Sequence, residues 1–144
     1  MTNPCVYCVA ASDDAAEPSG GWIYRDEHWL VAPGPAETTM PGALRVTSRR
    51  HYVDFADMTA AESAGFGQLL SALDRALRAS TDAERVHVVS TRDRIAHFHA
   101  WLYPRPVDHP LRGTEFLNAP QRGNPGHMAE IASAVRACLA SGDG

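Results

Sequence analysis

The chain has 144 residues, of which 44% are hydrophobic and 21% charged, and its net charge is −4 with neutral histidines. This composition is typical of a globular protein, and we expect residues 1–144 to form a single domain. Proteins that bind nucleic acid polymers usually carry a large positive charge, and the negative net charge of this chain argues against that class. No apolar run has the length of a membrane span or signal-peptide core, so we expect no membrane contact. With only three cysteines, the chain lacks the even set of a disulfide framework, which favours a cytoplasmic location.

A Cys-x-x-Cys pair, Cys5 and Cys8, lies near the start of the chain. Such a pair can be half of a tetrahedral metal site, a redox dithiol or a chance spacing. Redox dithiols normally follow a strand, and no strand is predicted before this pair. This disfavours the redox interpretation, but all three stay open at this point.

Three strands are predicted in the next segment. Residues 21–25 and 28–32 are rich in β-branched and aromatic side chains and are separated by an Asp-Glu pair, which predicts a hairpin. Residues 42–47 form the third strand, and the basic sequence Ser-Arg-Arg-His follows at 48–51.

The clearest predicted helix begins at a capping box formed by Thr59 and Glu62. An apolar stripe at helical spacing follows: Phe66, Leu69, Leu70, Leu73 and Leu77. Residues 84–89 then predict a fourth strand, residues 90–94 a polar turn, and residues 95–105 a fifth, antiparallel strand. Asn124 and Pro125 predict the start of a last, amphipathic helix. This order predicts an α+β fold with an antiparallel five-stranded sheet, one main helix and a C-terminal helix.

The fifth predicted strand carries the chemistry. Its alternation places His97, His99 and Trp101 on one face, with roughly 7 Å between the two imidazoles. The other face is apolar and faces the core. Pro104 is expected to end the strand, because proline has no backbone N–H to donate to a neighbouring strand in the middle of a sheet.

The sequence His97-x-His99-x-Trp101, with Pro-Arg at 104–105, resembles the motif of the histidine triad superfamily. Members of that superfamily are nucleotide hydrolases and transferases. The resemblance implies that His99 is the catalytic nucleophile, that the substrate is a small-molecule nucleotide, and that the protein is a homodimer. Trp101 stands where the third histidine belongs, and an indole cannot accept or relay a proton.

Four residues, Cys5, Cys8, His51 and His97, form the borderline-soft ligand set that suits tetrahedral zinc. Some bacterial histidine triad proteins hold zinc with an N-terminal Cys-x-x-Cys, a histidine in a basic turn after the third strand, and the first triad histidine. The four residues fall in the matching places. Because all four ligands are protein groups, we expect a structural zinc ion.

The loop before the histidine strand departs from the family pattern, since Arg92-Asp93 replaces a Gly-Gln pair that holds phosphate in family hydrolases. Arg92, Arg94 and Arg105 could supply positive charge to a phosphate in place of that loop, although loop arginines are more often simply solvated. We assign Trp101, Arg105 and Ser90 as candidate substrate-binding residues.

Three functions are weighed from the sequence. The first is an active nucleotide hydrolase or nucleotidyl transferase that forms a covalent intermediate on His99. The second is a nucleotide- or partner-binding protein that keeps the zinc scaffold without catalysis, which Trp101 favours. The third, a dithiol redox protein, requires both Cys5 and Cys8 to be free of metal.

Overall fold

A computed structural model describes residues 5–12 and 14–142 of the chain. Its elements are α1 (Val6–Ala10), β1 (Tyr24–Arg25), β2 (Trp29–Pro33), β3 (Leu44–Ser48), a 3₁₀ turn (Phe55–Asp57), α2 (Ala60–Ser80), β4 (Ala83–Val89), β5 (His99–Pro106), α3 (Gly113–Asn118) and α4 (Pro125–Ala140). The strands form one five-stranded sheet in the order β1-β2-β3-β5-β4. All neighbouring pairs are antiparallel. The predicted α+β fold is therefore confirmed.

The long helix α2 is built as its sequence predicts. The Thr59 side chain accepts a hydrogen bond from the Glu62 backbone N–H, and the Glu62 side chain accepts one from the Thr59 N–H. These two bonds satisfy backbone donors that a helix start otherwise leaves unpaired. The buried stripe of α2 packs against one sheet face and α4 in a single core, which includes Phe66, Leu73, Leu77, Val46, Leu102 and Val135.

The candidate functional side chains lie on the opposite face of the sheet. In the β3–β5 pairing, Arg45 lies opposite Trp101 and Thr47 lies opposite His99. Directly opposed residues of an antiparallel pair point to the same side. Arg45, Thr47, His99 and Trp101 therefore share the face that α2 does not cover.

The histidine strand differs from the prediction at both ends. β5 begins at His99, because the Phe98 N–H donates to the Tyr52 carbonyl at 2.6 Å instead of joining a ladder. Pro104 lies inside β5 and pairs in register with Val86. The last β3 partner is Leu44, opposite Leu102, so Pro104 lies beyond β3 and its missing N–H removes no bond on that side.

None of the helices in the described ranges combines the length and apolar character that a membrane-crossing segment needs.

Candidate metal centre and reactive histidine

Folding brings together the four predicted metal ligands. The donor atoms of Cys5, Cys8, His51 and His97 all lie within 4.8 Å of one another. The Nδ1 of His97 is 3.2 Å from the Nδ1 of His51, 3.4 Å from the Cys5 Sγ and 3.5 Å from the Cys8 Sγ. The Cys8 Sγ is 3.3 Å from the Nδ1 of His51.

These separations test whether the residues fit zinc. Tetrahedral zinc with ordinary Zn–N and Zn–S bonds separates two nitrogens by about 3.4 Å and a sulfur from a nitrogen by about 3.6 Å. The observed distances of 3.2 to 3.5 Å match the edges of such a tetrahedron. Two sulfurs and two imidazole nitrogens are also the donor set that structural zinc prefers. The group fits zinc in both geometry and chemistry.

Each ligand is positioned by local structure. Cys5 is the N-cap residue of α1 and Cys8 lies within that helix, so one helical turn presents both sulfurs. His51 follows β3. His97 is completely buried, and its Nε2 donates to the Ser48 carbonyl at 2.7 Å, which leaves the Nδ1 lone pair for metal. Burial also lowers the pKa of His97 and so favours the neutral ring that a metal requires.

His99 is held in one tautomer. Its Nδ1 lies 2.7 Å from the His97 carbonyl oxygen, which can only accept, so Nδ1 carries the proton. Its Nε2 makes no hydrogen bond within the described residues. The residue as a whole is buried, with 7% of its surface exposed. Burial lowers the pKa of His99. The ring therefore presents a free lone pair at Nε2.

An open cleft is lined in part by Tyr7, which contacts His99, although His99 itself is not among the residues that line it. The cleft has a volume of 530 Å³, and its lining includes Tyr7, Arg45 and Trp101. The Tyr7 ring contacts His99 at a centroid distance of 4.8 Å and so links the cleft to the imidazole. Trp101 is half-buried and stacks on Tyr103, with the ring planes 8° apart. The cleft thus combines an aromatic wall with a guanidinium.

The other predicted substrate-binding residues lie elsewhere. The Ser90 hydroxyl donates to the His99 carbonyl at 2.7 Å and accepts from Arg92 at 2.6 Å, so it supports the strand behind the imidazole. Arg105 is 2% exposed and donates to Glu84 at 3.1 Å. It lies six residues beyond His99, about 20 Å along β5. Arg105 therefore does not line the cleft, and its guanidinium is engaged by Glu84.

Arg92 occupies the loop where a glycine-containing sequence was expected. Its φ of 56° is in the left-handed region, which non-glycine residues rarely adopt. Its guanidinium bonds Ser90, approaches Asp54 at 3.5 Å and lies over the Phe55 ring at 5.1 Å. These contacts hold the loop in place: the Nη1 of Arg92 makes both bonds to Ser90, while its Nε is buried without a hydrogen bond.

Sequence reasoning missed two residues of the site, Tyr7 and Arg45. Tyr7 lies between the two cysteines, and Arg45 alternates with Leu44 and Val46 in β3. The alternation of β3 could have placed Arg45 on a sheet face. Only the β3–β5 register shows that this face is the one that carries His99.

Comparison with known proteins shows which solved structures this fold resembles. No protein-family model and no curated protein matches the chain. Among solved structures, a zinc-bound histidine triad family protein from Mycobacterium smegmatis is 26% identical, with a TM-score of 0.73 over 96% of this chain and 95% of that one. A hypothetical histidine triad nucleotide-binding protein from Sulfolobus tokodaii is 12% identical, with a TM-score of 0.72 over 95% of this chain and 93% of that one. A uridylyltransferase is 18% identical, with a TM-score of 0.64 over 94% of this chain and 46% of that one.

The Cys/His group supports zinc as the metal, in agreement with the zinc-bound neighbour. The five-stranded sheet and these neighbours identify the chain as a protein of the histidine triad fold.

Proposed function

We propose that this protein acts on a nucleotide phosphate through a covalent intermediate on His99. The observation that supports the proposal is the 2.7 Å bond from His99 Nδ1 to the His97 carbonyl, which leaves the lone pair of Nε2 to act as a nucleophile. Structural neighbours that include a histidine triad nucleotide-binding protein and a uridylyltransferase support the substrate class.

The proposed reaction has two displacements. In the first, the Nε2 lone pair of His99 attacks the phosphorus, a P–N bond forms, and the bond to the leaving group breaks with its electron pair. Because the indole of Trp101 cannot act as the acid, the leaving group takes its proton from water. In the second, water or another acceptor attacks the phosphorus and the P–N bond breaks. The backbone carbonyl of His97 stabilises the positive ring during the first step.

The metal group is assigned a structural role. Bound to Cys5, Cys8, His51 and His97, zinc would have four protein ligands and no position for water, so it would cross-link chain segments without entering the reaction. The cross-link would join α1 to the segment that carries His99 and would keep Tyr7 against that histidine. Thiolate ligands require reduced cysteines, which is consistent with the cytoplasmic location that we propose.

The test uses intact mass spectrometry of the zinc-loaded protein after incubation with a nucleoside 5′-phosphoramidate. The wild-type protein should gain one nucleotidyl group, and His99→Ala should gain none while keeping its zinc content and melting temperature. His127→Ala, on the exposed start of α4, is the matched control and should react like the wild type. Equal labelling of wild type and His99→Ala would show that the nucleophile is a different residue.

A second function, nucleotide binding without turnover, is favoured by Trp101 in the cleft. An aromatic wall can stack a base, but it cannot replace the acid of a third histidine. In that case calorimetry should detect nucleotide binding while no adduct and no product form over hours. Measurable turnover would exclude this alternative.

We further propose that residues 1–144 act as one domain and that two copies form a homodimer, as the family resemblance implies. Light scattering coupled to size exclusion should give twice the monomer mass. A monomeric mass at micromolar concentration would contradict the dimer.

A further inference from the structure

Arg45 is an arginine on the His99 side of the sheet. It lies in β3 directly opposite Trp101, two residues before Thr47, which lies opposite His99. Its side chain is half-buried and contributes to the wall of the 530 Å³ cleft. Its strand neighbours Leu44 and Val46 point to the opposite face of the sheet, where they are buried in the core.

The charge of Arg45 has no carboxylate partner in the part of the chain that the structure describes. Two other arginines of low exposure do have one, since Arg92 pairs with Asp54 and Arg105 with Glu84. The half-buried Arg49 and Arg136 resemble Arg45 in forming no ion pair within the described residues, but neither lines this cleft. Glu37 lines the same cleft but is exposed and forms no ion pair with Arg45. A half-buried guanidinium without a counter-charge is a ready site for an anion.

Two neighbours hold the Arg45 guanidinium in place. Its Nε donates to the Thr47 hydroxyl at 3.2 Å, and its central carbon lies 4.7 Å from the centre of the Tyr7 ring. Tyr7 in turn contacts His99 at 4.8 Å. The contact with Tyr7 and the bond to Thr47 together restrict the position of the guanidinium at the cleft wall.

We propose that Arg45 binds the phosphate of the nucleotide in the cleft and holds it beside His99, with Tyr7 as the residue that positions the guanidinium. The planar guanidinium matches two phosphate oxygens at once, which a lysine cannot do. With a net charge of −4, the protein cannot attract a phosphate through its overall field, so a local donor is needed. This inference rests on the proposed nucleotide function and adds the residue that distinguishes a nucleotide from a nucleoside.

The experiment compares nucleoside 5′-monophosphates with the matching nucleosides by calorimetry on the zinc-loaded protein. Adenosine with AMP is the first pair, followed by the guanosine, cytidine and uridine pairs. Arg45→Met should weaken monophosphate binding at least tenfold and leave nucleoside binding within twofold of the wild type. Arg45→Lys keeps the positive charge but cannot donate two parallel hydrogen bonds to a phosphate. It should therefore recover only part of the lost monophosphate affinity.

Arg75→Met is the matched control, because it removes the same charge from an exposed position on α2. It should bind both ligand types like the wild type. If Arg45→Met proves unstable, Arg45→Lys carries the test by itself: it keeps the charge, and its monophosphate affinity should still fall below that of the wild type while its nucleoside affinity should not.

Two results would overturn the role of Arg45. One is unchanged monophosphate affinity in Arg45→Met, and the other is an equal loss for nucleoside and monophosphate. Either result leaves the His99 adduct of the wild type intact, so the nucleotide function would survive. Failure of the wild type to bind any monophosphate or to form an adduct would overturn both proposals.

Discussion

Glu62 provides the sharpest test of the structure, because it joins the start of α2 to the turn that carries His51. Its side chain is 1% exposed and accepts hydrogen bonds from Arg50 at 2.7 and 3.1 Å and from the Thr59 N–H at 2.8 Å. The hydrogen bonds from Arg50, opposed by burial, lower the pKa of Glu62 from 4.5 to about 2. We predict that Glu62→Gln destabilises the protein by about 3 kcal/mol at pH 7, since each pKa unit between the folded and unfolded states is worth about 1.4 kcal/mol.

The sign of the pH dependence follows from the lowered pKa of Glu62. A carboxyl group whose folded pKa lies below its unfolded pKa binds more protons when the chain is unfolded. The stabilisation is therefore complete above about pH 5 and is lost as the pH falls from 4.5 towards about 2. The difference in unfolding free energy between wild type and Glu62→Gln should shrink over that range.

Urea denaturation at several pH values measures this difference, and comparison of two proteins at each pH cancels the contribution of the metal ligands. Asp74→Asn on the same helix is the control. Asp74 pairs with Arg78 at 2.6 Å, but both side chains are 40% exposed, so its loss should cost less than about 1 kcal/mol. A Glu62→Gln protein as stable as the wild type at pH 7, or a difference that does not change with pH, would refute the reasoning.

Three further predictions concern the site and the helix caps. Cys8→Ser should reduce bound zinc from one ion per chain to none and lower the melting temperature, as measured by metal analysis and calorimetry, because it removes one of four ligands; full zinc content would contradict the ligand assignment. Trp101→His should increase turnover of a nucleoside phosphoramidate in a product-release assay, because an imidazole can protonate the leaving group; unchanged turnover would show that the acid step does not limit the reaction. Asn124→Ala should cost about 1 kcal/mol in urea denaturation, because the Asn124 side chain caps α4 at the His127 N–H; an unchanged midpoint would show that the cap contributes nothing.

Much of the site could be predicted from local sequence. The Cys-x-x-Cys pair and the two histidines indicated a zinc site from the sequence alone. This was possible because the chemistry of sulfur and imidazole restricts which metals these side chains bind. The capping box at Thr59 and Glu62 placed the start of α2 at the correct residue, since such hydrogen bonds depend only on neighbouring positions. The position of His99 in the His-x-His sequence likewise identified the candidate nucleophile.

Contacts between distant segments decided the rest. Arg105 has the right chemistry for phosphate, but its pairing with Glu84 and its distance along β5 depend on the β4–β5 register. The tautomer of His99 depends on the His97 carbonyl, which lies just before β5 in a segment that is held to the chain after β3 by the bond from the Phe98 N–H to the Tyr52 carbonyl.

The sequence by itself determined which side chains could bind zinc, attack phosphorus and begin the helices, because those properties belong to single residues or short spacings. The tertiary structure alone decided that Tyr7 and Arg45 join His99, since 38 positions separate Tyr7 from Arg45 along the chain. Their meeting requires the helix α1 to pack on the sheet and β3 to pair with β5 in one register. Packing and strand register depend on contacts along the whole chain, so they cannot be predicted from a short sequence pattern.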